Sequence, residues 1–150
     1  MERLGEHFPK HTLEKSIFIE GGAFLIKQYE FRNEGLKDRR FFILNKNPSI
    51  DSVIITVHVT TKIETRKAVR PPEVLVEIKC DEYMSLGKDS IVDCESYNVW
   101  NKKILCEKIA KGEIEVLSQL PVKILNKLRT AISNSKTLSP IDKRLIFPEE

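Results

Sequence analysis

The first half of the chain alternates short apolar runs with polar turns. Residues 16–31 carry apolar bursts on either side of Gly21 and Gly22, which predicts a strand, a tight turn and a second strand. Residues 41–45 form a short apolar run, as in a strand that is buried on both faces. Residues 53–61 are β-branched almost throughout, which is the composition most characteristic of a strand.

Polar segments separate these runs, and two further strands follow. Residues 33–40 are predicted as a loop that contains Gly35, and residues 62–72 as a charged connection closed by two prolines. Residues 73–80 alternate between apolar and polar positions, which predicts a strand with one apolar face. Residues 90–100 predict another strand with an irregular end.

After residue 100 the apolar positions recur at helical spacing. Residues 101–114 predict a helix that ends near Gly112, a residue type suited to the position just past a helix C-terminus. Ser118 is predicted to cap a second helix that has Pro121 in its first turn. A last helical turn starts at Ser139 and has a proline at its first position. The apolar face of the second helix is formed by Leu125, Leu128 and Ile132.

This order of elements predicts the fold class. Five or six short strands followed by helices are typical of an α+β or mainly-β fold, and the strand spacing fits a small, strongly bent barrel. Since the chain has 150 residues, a single domain over residues 1–150 is expected.

Composition narrows the class of protein further. With 41% hydrophobic and 31% charged residues, no apolar stretch near the roughly 20 residues that span a bilayer and no apolar signal core, we expect a cytoplasmic protein without a membrane partner. The cysteines Cys80, Cys94 and Cys106 are odd in number and far apart, so we expect reduced thiols. Three histidines without a Cys/His cluster argue against zinc, and no metal or cofactor is expected.

Two segments carry clusters of positively charged residues. The net charge of +3 and the pI of about 8.7 permit nucleic-acid binding without requiring it. One cluster comprises Lys37, Arg39 and Arg40, and the other comprises Lys62, Arg66, Lys67 and Arg70. Both clusters flank predicted strands. An equally simple alternative is that they only keep surface loops soluble.

Arg39 and Arg40 stand directly before the apolar run of residues 41–45. Arginine is the side chain best shaped for bidentate contact with a phosphate, so the pair is a candidate phosphate-binding site. The alternative is a solvated strand end, with an ordinary surface ion pair to Asp38 or Glu34.

A second candidate group follows the polar face of the strand at residues 53–61. Thr56, His58 and Thr60 point to the same side of that strand, because successive side chains alternate. Thr60 and Thr61 can donate hydrogen bonds to a phosphate, and histidine is the usual general acid or base near neutral pH. The alternative is that this side merely faces water and that the threonines reflect β-propensity.

The order of these segments resembles the MazF/PemK family of toxin ribonucleases, from Ile19 to about Ser135. In that pattern an opening strand is followed by a basic loop with an arginine strand, a threonine strand, a later strand and a closing helix. The matching segments are residues 21–26, 35–45, 53–63, 88–100 and 114–132, respectively. The C-terminal part is also similar to that of a divergent branch of the family.

The resemblance implies a fold and a set of catalytic residues. It implies an SH3-like (MazF-like) small β-barrel with C-terminal helices, in which residues 1–15 are an N-terminal extension and residues 137–150 a C-terminal tail. Arg39 takes the place of the family's catalytic arginine and Thr60 that of its threonine. Arg40 stands where a proline is usual.

The implied reaction is metal-independent cleavage of single-stranded RNA, in which the ribose 2′-OH attacks the adjacent phosphate. Arg39 suits stabilisation of the phosphorane, and Thr60 suits a hydrogen bond to a nonbridging oxygen. His58 is the third catalytic candidate, on chemical grounds alone. The substrate-binding candidates are Arg40, Thr61, Lys62, Arg66 and Tyr97, where Tyr97, or less readily Trp100, would stack on an unpaired base.

The resemblance also implies partners. We expect single-stranded RNA as substrate, an antitoxin or other inhibitory protein partner, and a homodimer. Besides the resemblance, the apolar runs at residues 41–45 and 53–57 motivate the dimer, because they offer more apolar surface than one small barrel needs. The competing interpretation is a catalytically inactive MazF-like barrel that acts as a protein–protein interaction or nucleic-acid-binding module.

Overall fold

A computed structural model of the chain describes residues 10–30 and 35–148. Three short 3-10 turns, at Pro72–Val74, Met84–Leu86 and Cys94–Ser96, connect the regular elements. Those elements, in chain order, are α1 (Lys10–Ile17), β1 (Ala23–Glu30), β2 (Leu36–Ile43), β3 (Val53–Thr60), α2 (Ile63–Val69), β4 (Leu75–Ile78), β5 (Ser90–Asp93), β6 (Asn98–Asn101), α3 (Lys102–Ala110), β7 (Ile114–Leu117), α4 (Val122–Ser133) and α5 (Pro140–Ile146).

The described strands form one antiparallel sheet in the order β4-β5-β3-β2-β1-β7, and β6 pairs with β3. β3 is shared between two neighbouring strands along one edge: its first half pairs with β6, and its last two residues pair with β5. A strand shared in this way bends the sheet strongly, although the sheet is not closed. The expected mainly-β fold, a strongly bent antiparallel sheet with added helices, is therefore confirmed.

Two apolar clusters lie on opposite faces of this sheet. In the first, Phe42 and Val57 pack together with the buried face of α4, which confirms the packing predicted for that helix. In the second, Phe41 and Ile54 are covered by α1 and α3. The α4 residues in the first cluster include Leu125, Leu128 and Ile132.

The apolar runs of β2 and β3 are fully covered within one chain. Phe41, Phe42, Ile43 and Leu44 are 0–1% exposed, so the prediction of a strand buried on both faces is confirmed. The same finding removes one motive for a dimer. These runs leave no spare apolar surface, because α1, α3 and α4 bury it.

The predicted strand at the start of residues 16–31 is wrong, because α1 extends to Ile17. Leu13 and Ile17, four residues apart, pack against the second cluster, which is a helical and not a strand pattern. The predicted turn is confirmed. Gly21 has a φ of +74°, and a Cβ atom on Gly22 would lie 2.0 Å from the carbonyl oxygen of Ile17, so only glycine fits there.

Two segments predicted as connections have regular structure. β2 begins at Leu36, so Arg39 and Arg40 lie inside a strand and not in a loop before it. Pairing with β1 imposes this, since Arg39 and Arg40 stand opposite Ile26 and Leu25. Residues 33–34 of the predicted loop lie outside the described residues. The charged connection after β3 contains α2, which has no buried residue of its own.

The strand predicted over residues 90–100 is divided in two. Asp93 ends β5, and its carboxylate accepts hydrogen bonds from Glu95 N at 3.0 Å and from Arg70 Nε at 2.9 Å. The chain then makes a 3-10 turn before β6. A local side-chain bond of this kind competes with the ladder and stops the strand.

The C-terminal elements follow the predictions in part. Gly112, with a φ of +73°, follows α3 as predicted, but β7 was not expected. Ser118 does not cap α4, because Pro121 occupies that position. Ser139 caps α5 as predicted, accepting from Asp142 N at 3.1 Å. The three cysteines are free thiols, and burial raises the pKa of Cys94 beyond the titration range of an ordinary thiol.

No helix in residues 10–30 or 35–148 is long and apolar enough to cross a bilayer.

Candidate functional site

A small cleft opens where β2 and the end of β3 meet the loop between β4 and β5. Its volume is about 130 Å³. Four of its side chains carry a positive charge and one carries a negative charge, so it is a cationic site. The lining residues are Lys37, Asp38, Arg39, Arg40, Val59, Thr60, Thr61, Lys62, Leu86 and Ser90.

The two arginines reach this cleft from opposite sides of β2. Arg39 shares a face with Phe41, and Arg40 shares a face with Phe42, because side chains alternate along a strand. Arg39 is 6% exposed, whereas Arg40 is half-buried. Arg40 Nε donates a hydrogen bond to the carbonyl oxygen of Ser85 at 3.0 Å, which ties β2 to the loop between β4 and β5.

Thr60 lies at the last position of β3 and is paired with Ile91 of β5. Its Oγ1 accepts a hydrogen bond from Lys62 N at 3.2 Å, which turns the chain into α2. Thr61 and Lys62 are exposed. On the β2 side, Phe41 stands opposite His58, where the ladder between β2 and β3 ends. Arg39 and Thr60 lie beyond that end, and both line the cleft.

Asp38, the one carboxylate of the cleft, holds an irregularity in β1. Its Oδ1 accepts a hydrogen bond from Gln28 N at 3.1 Å. Gln28 has a φ of +51°, and the register of β1 shifts between Ile26 and Tyr29, so a bulge lies there. Asp38 therefore has a backbone donor as one partner, while Glu34, the other acid considered for the arginines, lies outside the described residues.

His58 is placed beside the cleft and does not line it. It is 8% exposed, and its Nδ1 lies 3.3 Å from Asn98 Oδ1. Asn98 Oδ1 also accepts from Thr56 Oγ1 at 3.4 Å, and Thr56 Oγ1 in turn accepts from Trp100 Nε1 at 2.9 Å. At Thr56 and His58 the polar side of β3 is thus buried beside β6, whereas Thr60 on the same side is half-buried and lines the cleft.

Two further predicted site residues are held elsewhere. Arg66 Nη1 lies 3.6 Å from Asp93 Oδ2, in the cluster that fastens α2 to β5. Tyr97 donates its hydroxyl proton to Asp142 Oδ2 at 2.8 Å, and burial followed by this carboxylate raises its pKa. Neither side chain lines the cleft, and Trp100 packs on Phe41 in the second apolar cluster.

Sequence reasoning did not single out Leu86 or Ser90. Leu86 comes from the loop between β4 and β5, and Ser90 is the first residue of β5. The fold brings this loop to β2 through the contact between Arg40 and Ser85. No local pattern marks these residues, because their position depends on a contact across 45 residues of sequence.

The described residues offer no cluster of three or more histidine, cysteine, aspartate or glutamate side chains that could hold a metal ion. The side chains that line the cleft carry guanidinium, ammonium and hydroxyl groups, together with the Asp38 carboxylate. The guanidinium, ammonium and hydroxyl groups bind and polarise a phosphate.

No protein-family model matches the sequence, and no curated protein matches it significantly. Solved structures do match. A chain of the MazE-MazF complex from Deinococcus radiodurans is 12% identical, with a TM-score of 0.50 over 78% of this chain and 94% of that one. The Mycobacterium tuberculosis toxin MazF-mt6 is 18% identical, with a TM-score of 0.49 over 78% and 98%. The resemblance read from the sequence is thus confirmed at the level of the fold, and the chain has the fold of MazF toxins.

Proposed function

We propose that this chain is a MazF-like toxin that cleaves single-stranded RNA without a metal ion, at the cleft between β2 and β3. One observation carries the proposal: residues 37–40 of β2 and residues 59–62, at the end of β3 and directly after it, line one cationic cleft. This pairing is the one that the resemblance implies for the catalytic arginine and threonine.

The cleft suits a single phosphodiester group. Its volume of about 130 Å³ is below the roughly 300–1,000 Å³ of drug-sized ligand sites. Lys37, Arg39, Arg40 and Lys62 provide positive charge, and Asp38 is the one acid among the lining residues. Such a surface favours the RNA backbone over a neutral ligand.

In the proposed reaction the ribose 2′-oxygen forms a bond to phosphorus and the bond to the 5′-oxygen breaks. The products are a 2′,3′-cyclic phosphate and a 5′-hydroxyl. The 2′-OH loses one proton as it attacks, and the leaving 5′-oxygen gains one. Arg39 stabilises the charge that develops on the nonbridging oxygens. Thr60 donates its hydroxyl proton to one of them, since its oxygen already accepts from Lys62 N and the proton remains for donation.

The remaining candidates have subsidiary parts in this proposal. Arg40, Thr61 and Lys62 bind the flanking backbone through charge and hydrogen bonds. His58 is the acid–base candidate. It lies beside the cleft, next to Phe41, which stands opposite it on β2. Arg66 and Tyr97 would need to leave their present partners to contact RNA.

The same proposal includes partners and location. The matched solved structure from Deinococcus radiodurans is a MazE-MazF complex, which supports an antitoxin-type protein partner for this chain. A homodimer and a cytoplasmic location are proposed with it.

A non-enzymatic module is the second candidate, and one observation favours it. Arg39 is 6% exposed and Arg40 already donates to Ser85, so neither guanidinium is as open as a typical phosphate contact. In that case the barrel would bind a protein or a nucleic acid without cleaving it.

The deciding experiment incubates the pure full-length protein with a pool of single-stranded RNA in EDTA and maps the ends. Cleavage with 2′,3′-cyclic phosphate and 5′-hydroxyl ends supports the proposal. Arg144→Ala, an exposed change on α5, is the charge-matched control for Arg39→Ala and should retain cleavage. Intact RNA with wild-type protein would leave the non-enzymatic module as the function.

A further inference from the structure

A second groove lies at the edge of the sheet, between β4 and α4. β4 is one of the two terminal strands in the described strand order, with β7 at the other end, and β5 is the strand that pairs with it. The groove has a volume of about 520 Å³. It is lined by Glu73, Leu75, Val76, Glu77, Asn126, Lys127, Thr130, Ala131 and Asn134.

The backbone of an edge strand is a template for another strand. Alternate residues of an antiparallel strand direct N–H and C=O groups away from the partner that they have. One end of the groove is closed, since Leu75 N donates to Pro72 O and Asn134 Nδ2 donates to Glu73 O at 3.2 Å. The edge continues past this closure to Ile78.

The side chains of the groove form an apolar floor between charged residues, an arrangement that is complementary to an extended peptide. Val76 and Ala131 are buried and form an apolar floor. Glu73 and Glu77 stand on the strand side, and Lys127 stands on the helix side. Among the lining residues two carboxylates stand against one ammonium, in a chain whose net charge is +3. Lys67, which is not a lining residue, lies 3.0 Å from Glu77.

We propose that this groove binds an extended, basic segment of a partner protein, which adds to β4 as a further strand. Apolar side chains at alternate positions of the segment would lie over Val76 and Ala131. Lysine or arginine side chains would reach Glu73 and Glu77. The site is distinct from the cationic cleft, and the inference does not depend on RNA cleavage.

Charge argues against two other occupants. A nucleic acid would bring phosphates to Glu73 and Glu77. A second copy paired edge to edge about a two-fold axis would bring the glutamates of both chains together, and like charges across strands are destabilising. The present partner of Glu77 is Lys67 at 3.0 Å, and both side chains are about half exposed, so a basic peptide can replace that weak surface pair.

The test pans a library of random dodecapeptides displayed on phage against the immobilised full-length chain. We expect enriched peptides with lysine or arginine at alternate positions. One such peptide, labelled with a fluorophore, is then titrated with wild-type protein and with the double variant Glu73→Lys/Glu77→Lys. The double variant should bind at least about tenfold more weakly, because two cross-strand ion pairs become repulsions.

Matched variants separate the groove from general charge and from misfolding. Glu107→Lys/Glu115→Lys makes the same charge change at exposed positions on α3 and β7 and should bind the peptide as wild type does. Lys127→Glu should tighten binding severalfold, which an unfolded protein would not do. RNA cleavage in EDTA should be unchanged in Glu73→Lys/Glu77→Lys, so failure of this inference and failure of the proposed function are distinguishable.

Amide ¹H–¹⁵N spectra of the complex should show shifts concentrated in β4 and α4. Each of the following results would overturn the inference: no enriched peptide, enrichment of acidic peptides, equal weakening in both double variants, or shifts confined to another surface. A dimer of wild-type protein that dissociates in Glu73→Lys/Glu77→Lys would instead identify a second copy as the occupant and would also refute it.

Discussion

Arg39 and Arg40 are adjacent in sequence but differ in environment, because they project from opposite sides of β2. Arg39→Ala is predicted to lower the rate of RNA cleavage by about 10²–10³, since one preorganised donor to the phosphorane is lost. Arg40→Ala should leave the chemical step nearly intact and weaken RNA binding, more so at low salt. Cleavage rates and binding constants on one RNA oligonucleotide measure both effects.

Melting temperatures provide the control for this comparison. Arg40→Ala also loses the hydrogen bond to Ser85 O and with it part of the anchor of the loop between β4 and β5. A drop in stability must therefore be separated from a drop in affinity. If Arg40→Ala is inactive and Arg39→Ala is not, the alignment of this strand with the family pattern is wrong by one residue.

At the residue scale, the structure brings five of the eight predicted site residues to one cleft, and their roles stay predictions. Arg39, Arg40, Thr60, Thr61 and Lys62 line one cleft. They could be found because each lies within or next to a strand whose apolar pattern is strong. The positions of His58, Arg66 and Tyr97 could not be derived in this way, since each is set by a partner distant in sequence: Asn98, Asp93 and Asp142, respectively.

The turn between α1 and β1 has the strictest steric requirement among the described glycines. A Cβ atom at position 22 would lie 2.0 Å from a backbone oxygen, so Gly22→Ala forces the turn to move. We expect a loss of about 3 kcal/mol or more, at the upper end of the range for overpacking. Urea unfolding of Gly22→Ala beside Ser16→Ala, an exposed change near the end of α1, measures it. Equal stability of the two variants would contradict the geometry.

Helix α4 is fastened to the turns of the sheet by Arg129. Its Nη1 donates to Glu20 Oε2 at 2.5 Å, and its Nη2 donates to Leu44 O at 3.1 Å and to Asn45 O at 3.2 Å. The hydrogen bond from Arg129, opposed by burial, lowers the pKa of Glu20. A lowered pKa in the folded state means that the stabilisation is present above the unfolded pKa of about 4.3 and is lost as the pH falls through the folded value.

The lowered pKa of Glu20 leads to a prediction for the variant Glu20→Gln. The wild type should unfold at a higher temperature than the variant near pH 7, and the difference should shrink as the pH falls below about 4.3. Thermal unfolding of both proteins between pH 7 and acid measures it, with Glu115→Gln on β7 as the control. A difference that grows on acidification would show that Glu20 is not held by Arg129.

At the element scale, long apolar runs were predictable and polar or short elements were not. The residue pattern of β3 is typical of a strand and that of α4 is typical of a helix, and the structure has both elements. The polar half of β2 and the four-residue strand β7 exist because β1 pairs with each of them. The last two residues of α1, Ser16 and Ile17, were assigned to a strand because the short apolar run that begins there fits either period. Contacts with segments distant in sequence, and not the local residue pattern, determine the secondary structure of these segments.

For the whole molecule, the predicted homodimer has the family resemblance as its remaining support. The apolar runs that first motivated it are buried by α1, α3 and α4. We expect light scattering to give about twice the 17.3 kDa of one chain at micromolar concentration. A monomer under those conditions would contradict the prediction, and a mass that falls on dilution would give the dissociation constant.

Charge distribution sets the last prediction at this scale. The net charge is only +3, so RNA binding should depend on the cleft and not on a general basic surface. With phosphate contacts from Lys37, Arg39, Arg40 and Lys62, the logarithm of the association constant should fall with the logarithm of salt concentration with a slope of about −3, at about 0.7 per contact for a single strand. Lys62→Ala should reduce the slope by about 0.7. Lys143→Ala, an exposed change on α5, should not, and a slope that both variants reduce equally would mean that RNA binds across the surface and not at the cleft.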